Sequence, residues 1–401
     1  MTMDHFEEIQ PGLSHLTDLY DRTDLFELLN NDDVVRLSGL RDGRGFASPE
    51  NVLRSTGIST RRILREGLSA IDLAVELCRQ LEDQTGLALN DFTAVLVCHS
   101  HTNDAEAEQL VASLTHRFSL RSEAISGFNF GCSGFLKLLQ EGLVVLADRT
   151  ERDDCVALLS VETPETWHDA ADRLFCGIVS AGATAAVLRR GEGMPVSSVR
   201  ADDFLIAPEF RMNADPLFNH DRCDGFDFRG RPVNRCVMRM NAEPVFLNGI
   251  ELMLQNLRVA LTFAEAGPEE RVIVVPHQPS GKLLKALIAA TRTEFPRCEM
   301  LNNLWSYGNT ISSSVPTILS RLPQVLSANG LQPLQTGDHV ILLAAGICMT
   351  RISDHMSAGH ACLRWAEPSF DNTGSQVGFS IVGTEPCRAS VAIDEVQTSS
   401  N

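Results

Sequence analysis

A cysteine, a histidine and an asparagine each stand at a junction where turn residues give way to regular structure. Cys132 lies in Ser126-Gly127-Phe128-Asn129-Phe130-Gly131-Cys132-Ser133-Gly134-Phe135, where glycines and polar residues precede an apolar pattern of helical spacing. A thiol at such a helix start faces unpaired backbone N–H groups and the positive end of the helix dipole. Both favour thiolate, and so nucleophilic chemistry. Pro276-His277-Gln278-Pro279 follows an apolar strand, and Tyr307-Gly308-Asn309-Thr310 precedes a helical segment. Cys, His and Asn at three such junctions make a covalent acyl-transfer candidate. Each residue also has a purely structural alternative: an inert core thiol, a satisfied strand-end histidine and a helix-capping asparagine. His99 and His101 share one side of an extended segment but lack an evident third ligand, so no metal site is expected. A hydrolase elbow needs glycine on both sides of its nucleophile; Gly134 fits and Phe130 does not.

The elements that would position these residues alternate along the chain. Amphipathic helices are expected from Ser69 to Cys78, over 104–117, from the Cys132 junction to about 148, from about 244 to 266 and over 280–294. Buried strands are expected at Phe92–Cys98, Cys155–Val161, Ala183–Leu188, Val272–Val275 and His339–Ala345. Buried strands alternating with helices imply a layered α/β fold. The first 47 residues read as an acidic, helical or irregular lead-in, 48–190 as a first half carrying the cysteine, and 191–239 as loop or insertion. A second half over 240–357 carries the histidine and asparagine, and 358–401 reads as an extension. Within it, Gln376–Val382 is a possible strand and the last five residues are expected to fray.

Composition narrows the function classes. The 401 residues carry a net charge of −18, against a nucleic-acid binder, whose phosphate contacts need a basic face. No apolar run reaches membrane-spanning length. The acidic start, Met1 to Glu8, lacks the apolar segment of a secretion signal, so a cytoplasmic location is expected. Eleven scattered cysteines with no C-x-x-C pair read as reduced thiols.

Over residues 48–355 the sequence resembles the β-ketoacyl-acyl carrier protein synthase III group of thiolase-fold condensing enzymes. The resemblance rests on Gly131-Cys132-Ser133-Gly134, His277-Gln278 and Gly308-Asn309-Thr310-Ile311-Ser312-Ser313-Ser314-Val315-Pro316. Weaker echoes are Ser55-Thr56-Gly57-Ile58, Met240–Phe246 and Leu342–Gly346. It implies a thiolase fold: two similar βαβαβ-type halves packed as an αβαβα sandwich. It also implies catalytic Cys132, His277 and Asn309, with the backbone N–H groups of Cys132 and Ile347 as an oxyanion hole. Cys132 would take an acyl group from a thioester. His277 and Asn309 would bind the carbonyl of a malonyl-type extender as carbon dioxide leaves, and the resulting enolate would attack the acyl-Cys. Lys282, Ser280 and Gly308 would meet the pantetheine arm.

The departures from the family pattern are specific. Gly346-Ile347-Cys348 replaces a glycine-rich turn, and Ser180-Ala181-Gly182-Ala183 lacks the family's acid. Asn51 and Ser55 stand where a Trp and an Arg would hold adenine, another coenzyme A contact falls at Thr166 or a neighbour, and Ser280 replaces an Asn. These departures weaken coenzyme A as donor and favour a specialised polyketide or fatty-acid-derived pathway; the donor stays open between acyl-acyl carrier protein and acyl-coenzyme A. No cofactor or metal is implied beyond the thioester substrates. The expected assembly is a homodimer, or a heterodimer with a homologue. Two other readings stay open: acyl transfer to an oxygen or nitrogen nucleophile, and a non-catalytic partner subunit.

Overall fold

The apolar runs become strands of one sheet, most of them buried on both faces. They are β1 (Pro11–Asp18), β2 (Ala94–Cys98), β3 (Ile125–Phe128), β4 (Cys155–Glu162), β5 (Gly182–Arg190), β6 (Met194–Leu205), β7 (Val272–Pro276), β8 (Cys298–Met300), β9 (His339–Ile347) and β10 (His355–Arg364). The computed structural model describes residues 10–41, 45–147, 149, 154–212, 215–267, 269–351, 353–366, 369–370 and 376–377. All ten strands join in the order β8-β7-β9-β10-β6-β1-β5-β4-β2-β3.

That order is one five-strand arrangement used twice. β2 runs parallel to β3 and β4, while β5 is antiparallel to both β4 and β1. In the other half β7 runs parallel to β8 and β9, while β10 is antiparallel to both β9 and β6. A two-pair bridge, Gly12 to Pro195 and Leu13 to Met194, joins them. The repeat makes His99, after β2, the counterpart of His277, after β7. It also matches the 3-10 turn Gly131–Ser133 to the 3-10 turn Ile311–Ser313, each leading directly into a helix.

Helices complete the layers. Helices α1 (Ala70–Thr85) and α2 (Asp104–Arg117) cover the outer face of the first half, sharing a core with Val95, Val97, Leu159 and Ala185. Helices α3 (Gly134–Ala147), α4 (Ala242–Ala264), α5 (Gly281–Glu294) and α6 (Ser314–Ser320) divide the remaining work. α3 and α6 lie between the halves, where Leu136, Leu139, Ile318 and Leu319 meet Leu96 and Leu158 on one side and Val275 and Leu342 on the other. α4 and α5 cover the outer face of the second half. This is the thiolase fold, an αβαβα sandwich. Local chemistry sets the helix starts: Ser69 and Asp72 form a capping box, and the Ser280 hydroxyl accepts from the Leu283 N–H.

Three stretches correct the sequence expectations. The lead-in contains β1, at the centre of the sheet, and a strand Phe26–Leu29 paired with Arg61–Leu64. A bulge between Ser14 and Thr17, with His15 at φ 47°, breaks the two-residue period, so Leu13 and Leu16 are both buried and no alternation is visible. The supposed loop over 191–239 contains β6 and the hairpin Phe218–Phe226/Pro232–Met240. Its charges sit on half-exposed strands, which hides the apolar pattern. Residues 358–364, read as the start of an extension, belong to β10, a buried strand whose Gly359 and His360 disguise it. Gln376–Val377 does pair, with Ser369–Phe370. Residues 378–382 and the last five lie outside the described residues.

Candidate active site

Cys132 sits in the middle of the 3-10 turn Gly131–Ser133, one residue short of α3. Gly131 takes φ +72°, and a Cβ there would overlap the Ile347 carbonyl oxygen. At the end of β9, a Cβ on Gly346 would stand 2.5 Å from the Cys132 sulfur. At the helix start, a Cβ on Gly134 would overlap the Cys98 sulfur and come 2.9 Å from the Ser312 Cβ. The Ser357 hydroxyl ties the two segments together, reaching the Phe130 carbonyl at 3.2 Å and the Ile347 carbonyl at 3.0 Å. Three glycines thus let the cysteine turn press against β9 and against the Ile311–Ser313 turn.

The thiol is 6% exposed. Burial pushes it up to about 12, opposed by the backbone N–H groups of Ile347 and of Cys132 itself. This corrects the expectation of a ready thiolate: desolvation outweighs the helix-end field, so the resting sulfur is protonated. The same two N–H groups are those expected to form the oxyanion hole.

His277 follows β7 and is 1% exposed, with its N–H donating to the Leu343 carbonyl. Nδ1 lies 2.5 Å from the Ser314 hydroxyl, which donates to the Ile311 carbonyl at 2.9 Å. Burial lowers the imidazole to about 3, so the ring is neutral. Nε2 is buried without a partner. With the Ser314 proton on Ile311, Nδ1 is the donor and Nε2 keeps a free lone pair; with it turned to Nδ1, Nε2 carries the proton.

Asn309 is clamped by its backbone, its N–H donating to the Ile178 carbonyl and its carbonyl accepting from Ser180. Oδ1 accepts from the Ile311 N–H at 2.9 Å, and Nδ2 donates to the Pro279 carbonyl at 3.2 Å, leaving a second amide proton for a ligand. Ile311 itself has φ +52°, a strained value for a β-branched residue, and such strain concentrates at functional sites. Histidine, asparagine and cysteine therefore converge on one turn: Asn309 bonds Ile311, His277 bonds Ser314, and Ser312 meets the cysteine helix.

The remaining expected residues lie around this turn. Gly308 takes φ +68° and its N–H closes the preceding helical turn on Leu304, which makes its role conformational. Ser280 caps α5, so its hydroxyl is engaged. Lys282 is exposed on the first turn of α5, beside the Thr56–Gly57 turn against which Gly281 packs. Sequence reasoning passed over a buried carboxyl. Glu162 ends β4 at 0% exposure and accepts from the Ser100 hydroxyl at 2.8 Å, the Ser100 N–H at 3.2 Å and the Ser312 hydroxyl. An acid closing an apolar strand was the available signal. His99 and His101 stand 6.1 Å apart, and His99 Nδ1 is 2.7 Å from the Val161 carbonyl. Among the described residues no cluster of His, Cys, Asp or Glu is placed to hold a metal ion.

Comparison with known proteins finds relatives over most of the chain. Residues 261–353 match the family described as 3-Oxoacyl-[acyl-carrier-protein (ACP)] synthase III C terminal. A β-ketoacyl-[acyl-carrier-protein] synthase III of Cereibacter sphaeroides is 26% identical over 318 residues, covering 77% of this chain and 88% of the relative. The crystal structure of 3-oxoacyl-[acyl-carrier-protein] synthase III from Aquifex aeolicus superposes with a TM-score of 0.63 at 18% identity, covering 89% and 99% of the two chains. The priming β-ketosynthase of the R1128 polyketide biosynthetic pathway gives 0.64 at 19% identity, covering 89% and 96%.

Proposed function

We propose that this chain, a ketosynthase III-like condensing enzyme, loads an acyl group on Cys132 and extends it by decarboxylative condensation with a malonyl-type thioester. The observation that carries the reading is the convergence of a buried thiol, an unpartnered imidazole nitrogen and a carboxamide on the Ile311–Ser314 turn. In acylation the resting thiol must lose its proton as it attacks, and the bare Nε2 of His277 is the acceptor in the site. The sulfur bonds to the donor's carbonyl carbon. The oxyanion faces the N–H groups of Cys132 and Ile347, and the donor thiol leaves with the proton held at Nε2. For condensation the neutral ring takes its other tautomer by proton exchange with solvent, and Nε2–H and the spare Asn309 N–H hold the extender's thioester oxygen. Carbon dioxide departs, the enolate carbon attacks the acyl-Cys, and the cysteine sulfur leaves as a thiolate that takes up a proton from solvent.

The reading of the donor rests on the residues at the adenine-holding positions of the family pattern. Asn51 and Ser55 offer neither ring nor guanidinium, and the Arg173 guanidinium is stacked 4.6 Å over Phe46, beside Thr56. This supports an acyl carrier protein as donor, in a specialised polyketide or fatty-acid-derived pathway, with Lys282 meeting the phosphate of its arm. A cytoplasmic dimer fits the exposed edge strand β3, and no helix among the described residues is long and apolar enough to cross a membrane.

A second reading has one observation in its favour. With the Ser314 proton on Ile311, Nε2 is a base, which suits acyl transfer to an oxygen or nitrogen nucleophile. Carbon dioxide release decides between them. Acyl-loaded wild type should release carbon dioxide from a malonyl thioester in step with product, and Asn309→Ala should lower that rate by about a hundredfold or more. Loading without any decarboxylation would leave simple acyl transfer.

A further inference from the structure

The buried carboxyl behind the nucleophile has no part in the chemistry above. Glu162 is held by three donors from two elements outside its own strand: Ser100 after β2, through hydroxyl and N–H, and Ser312 in the turn shared with His277 and Asn309. Ser312 also touches the start of α3, one residue beyond the cysteine turn. The carboxyl thus couples the ends of β2 and β4 to the turn that carries the site. We propose that Glu162 is a positioning residue of this site, whose charge governs how readily Cys132 gives up its proton. The inference rests on the reading of Cys132 as the acyl-accepting sulfur.

Like charges oppose one another strongly in a dry interior. Beyond burial itself, a negative charge on Glu162 raises the Cys132 thiol further, because an ionised carboxylate disfavours a thiolate nearby. Burial raises the Glu162 carboxyl to about 8, while the two serines pull it down. Other titratable groups face it from each packed element. From β2 come Cys98, which burial pushes up to about 12, and His99, which burial lowers. From the stretch just after β1, against Gly182 of β5, comes the Tyr20 phenol, also raised by burial. All three are uncharged at neutral pH, so Glu162 is the group whose ionisation changes the field at the sulfur. Neutral, it leaves the thiol free to ionise during attack; ionised, it opposes that step.

The test reads the sulfur directly. Alkylation of Cys132 by iodoacetamide is followed by mass spectrometry of its peptide from pH 6 to 10, in wild type and Glu162→Gln. Gln keeps an oxygen for both serines and removes the charge. The variant's rate should climb about tenfold per pH unit throughout, because the thiolate is the nucleophile. Wild type should flatten above about pH 8 and lag the variant by about tenfold at pH 9.5. A loss of packing alone would lower the melting temperature without moving this break. Superimposable profiles overturn the proposal, as does a Cys132 that resists the reagent equally in both proteins. Should Glu162→Gln fail to fold, Ser312→Ala replaces it. Losing a donor to the carboxylate should move the break to higher pH, and an unmoved break overturns the proposal. Acyl loading from a thioester is measured separately. Its absence beside a clear difference in alkylation would sink the acyl-enzyme reading and leave the role of Glu162 standing.

Discussion

At the residue scale the account turns on one hydroxyl proton. Ser314 stands between the Ile311 carbonyl and Nδ1 of His277, and its orientation decides whether Nε2 accepts or donates. Acylation needs an acceptor and decarboxylation needs a donor, so the serine serves both half-reactions. Ser314→Ala should keep the fold and lower the steady-state rate of carbon dioxide release by about tenfold or more, with a smaller effect on KM. An unchanged rate would free Ser314 from this role. The cysteine, histidine and asparagine were legible in the sequence because each sits beside glycine or proline at an element boundary. Ser314 and Glu162 were not, because their partners are distant in sequence. Ser314 meets a residue 37 positions away, and Glu162 meets serines 62 and 150 positions away.

At the element scale the site depends on how closely two turns approach one strand end. Gly346 is the sharpest case: a methyl group would sit 2.5 Å from the cysteine sulfur, between β9 and the turn. Gly346→Ala should destabilise the protein by about 1–3 kcal/mol, the usual cost of overpacking. It should abolish acyl loading even where the fold survives. Urea unfolding beside a loading assay measures both, and full loading by the variant would contradict the placement of β9. The elements that sequence reasoning placed, β2, β4, β5, β7, β9 and α1 to α5, carry uninterrupted apolar or helical periodicity. It missed β1 because a bulge breaks the period, and β10 because Gly359 and His360 break an otherwise apolar run. Two similar halves were legible from the order of elements, but their junction was not, since β1 and β6 are where the two five-strand halves meet.

At the scale of the whole molecule, buried ionisable groups make stability depend on pH from both sides. Burial lowers His168 and His277 to about 3 and His101 and His360 to about 4. As pH falls from the unfolded value of 6.5, the unfolded chain takes up protons that the native chain refuses, so stability is lost. Glu162 and Glu165 are raised, to about 8 and about 7. As pH rises from 4.5 the unfolded chain releases protons that the native chain keeps, so stability is lost in that direction as well. The melting temperature should peak at about pH 6.5 and fall on both sides; a steady rise from pH 6 to 9 would contradict these burials. The central claim is that the sulfur in the Gly131–Ser133 turn carries the acyl group. Intact-protein and peptide mass spectrometry after incubation with an acyl thioester tests it most directly. One acyl adduct, on the Cys132 peptide and absent from Cys132→Ala, is the predicted result. An adduct on a different cysteine, or an adduct that persists in Cys132→Ala, would contradict it.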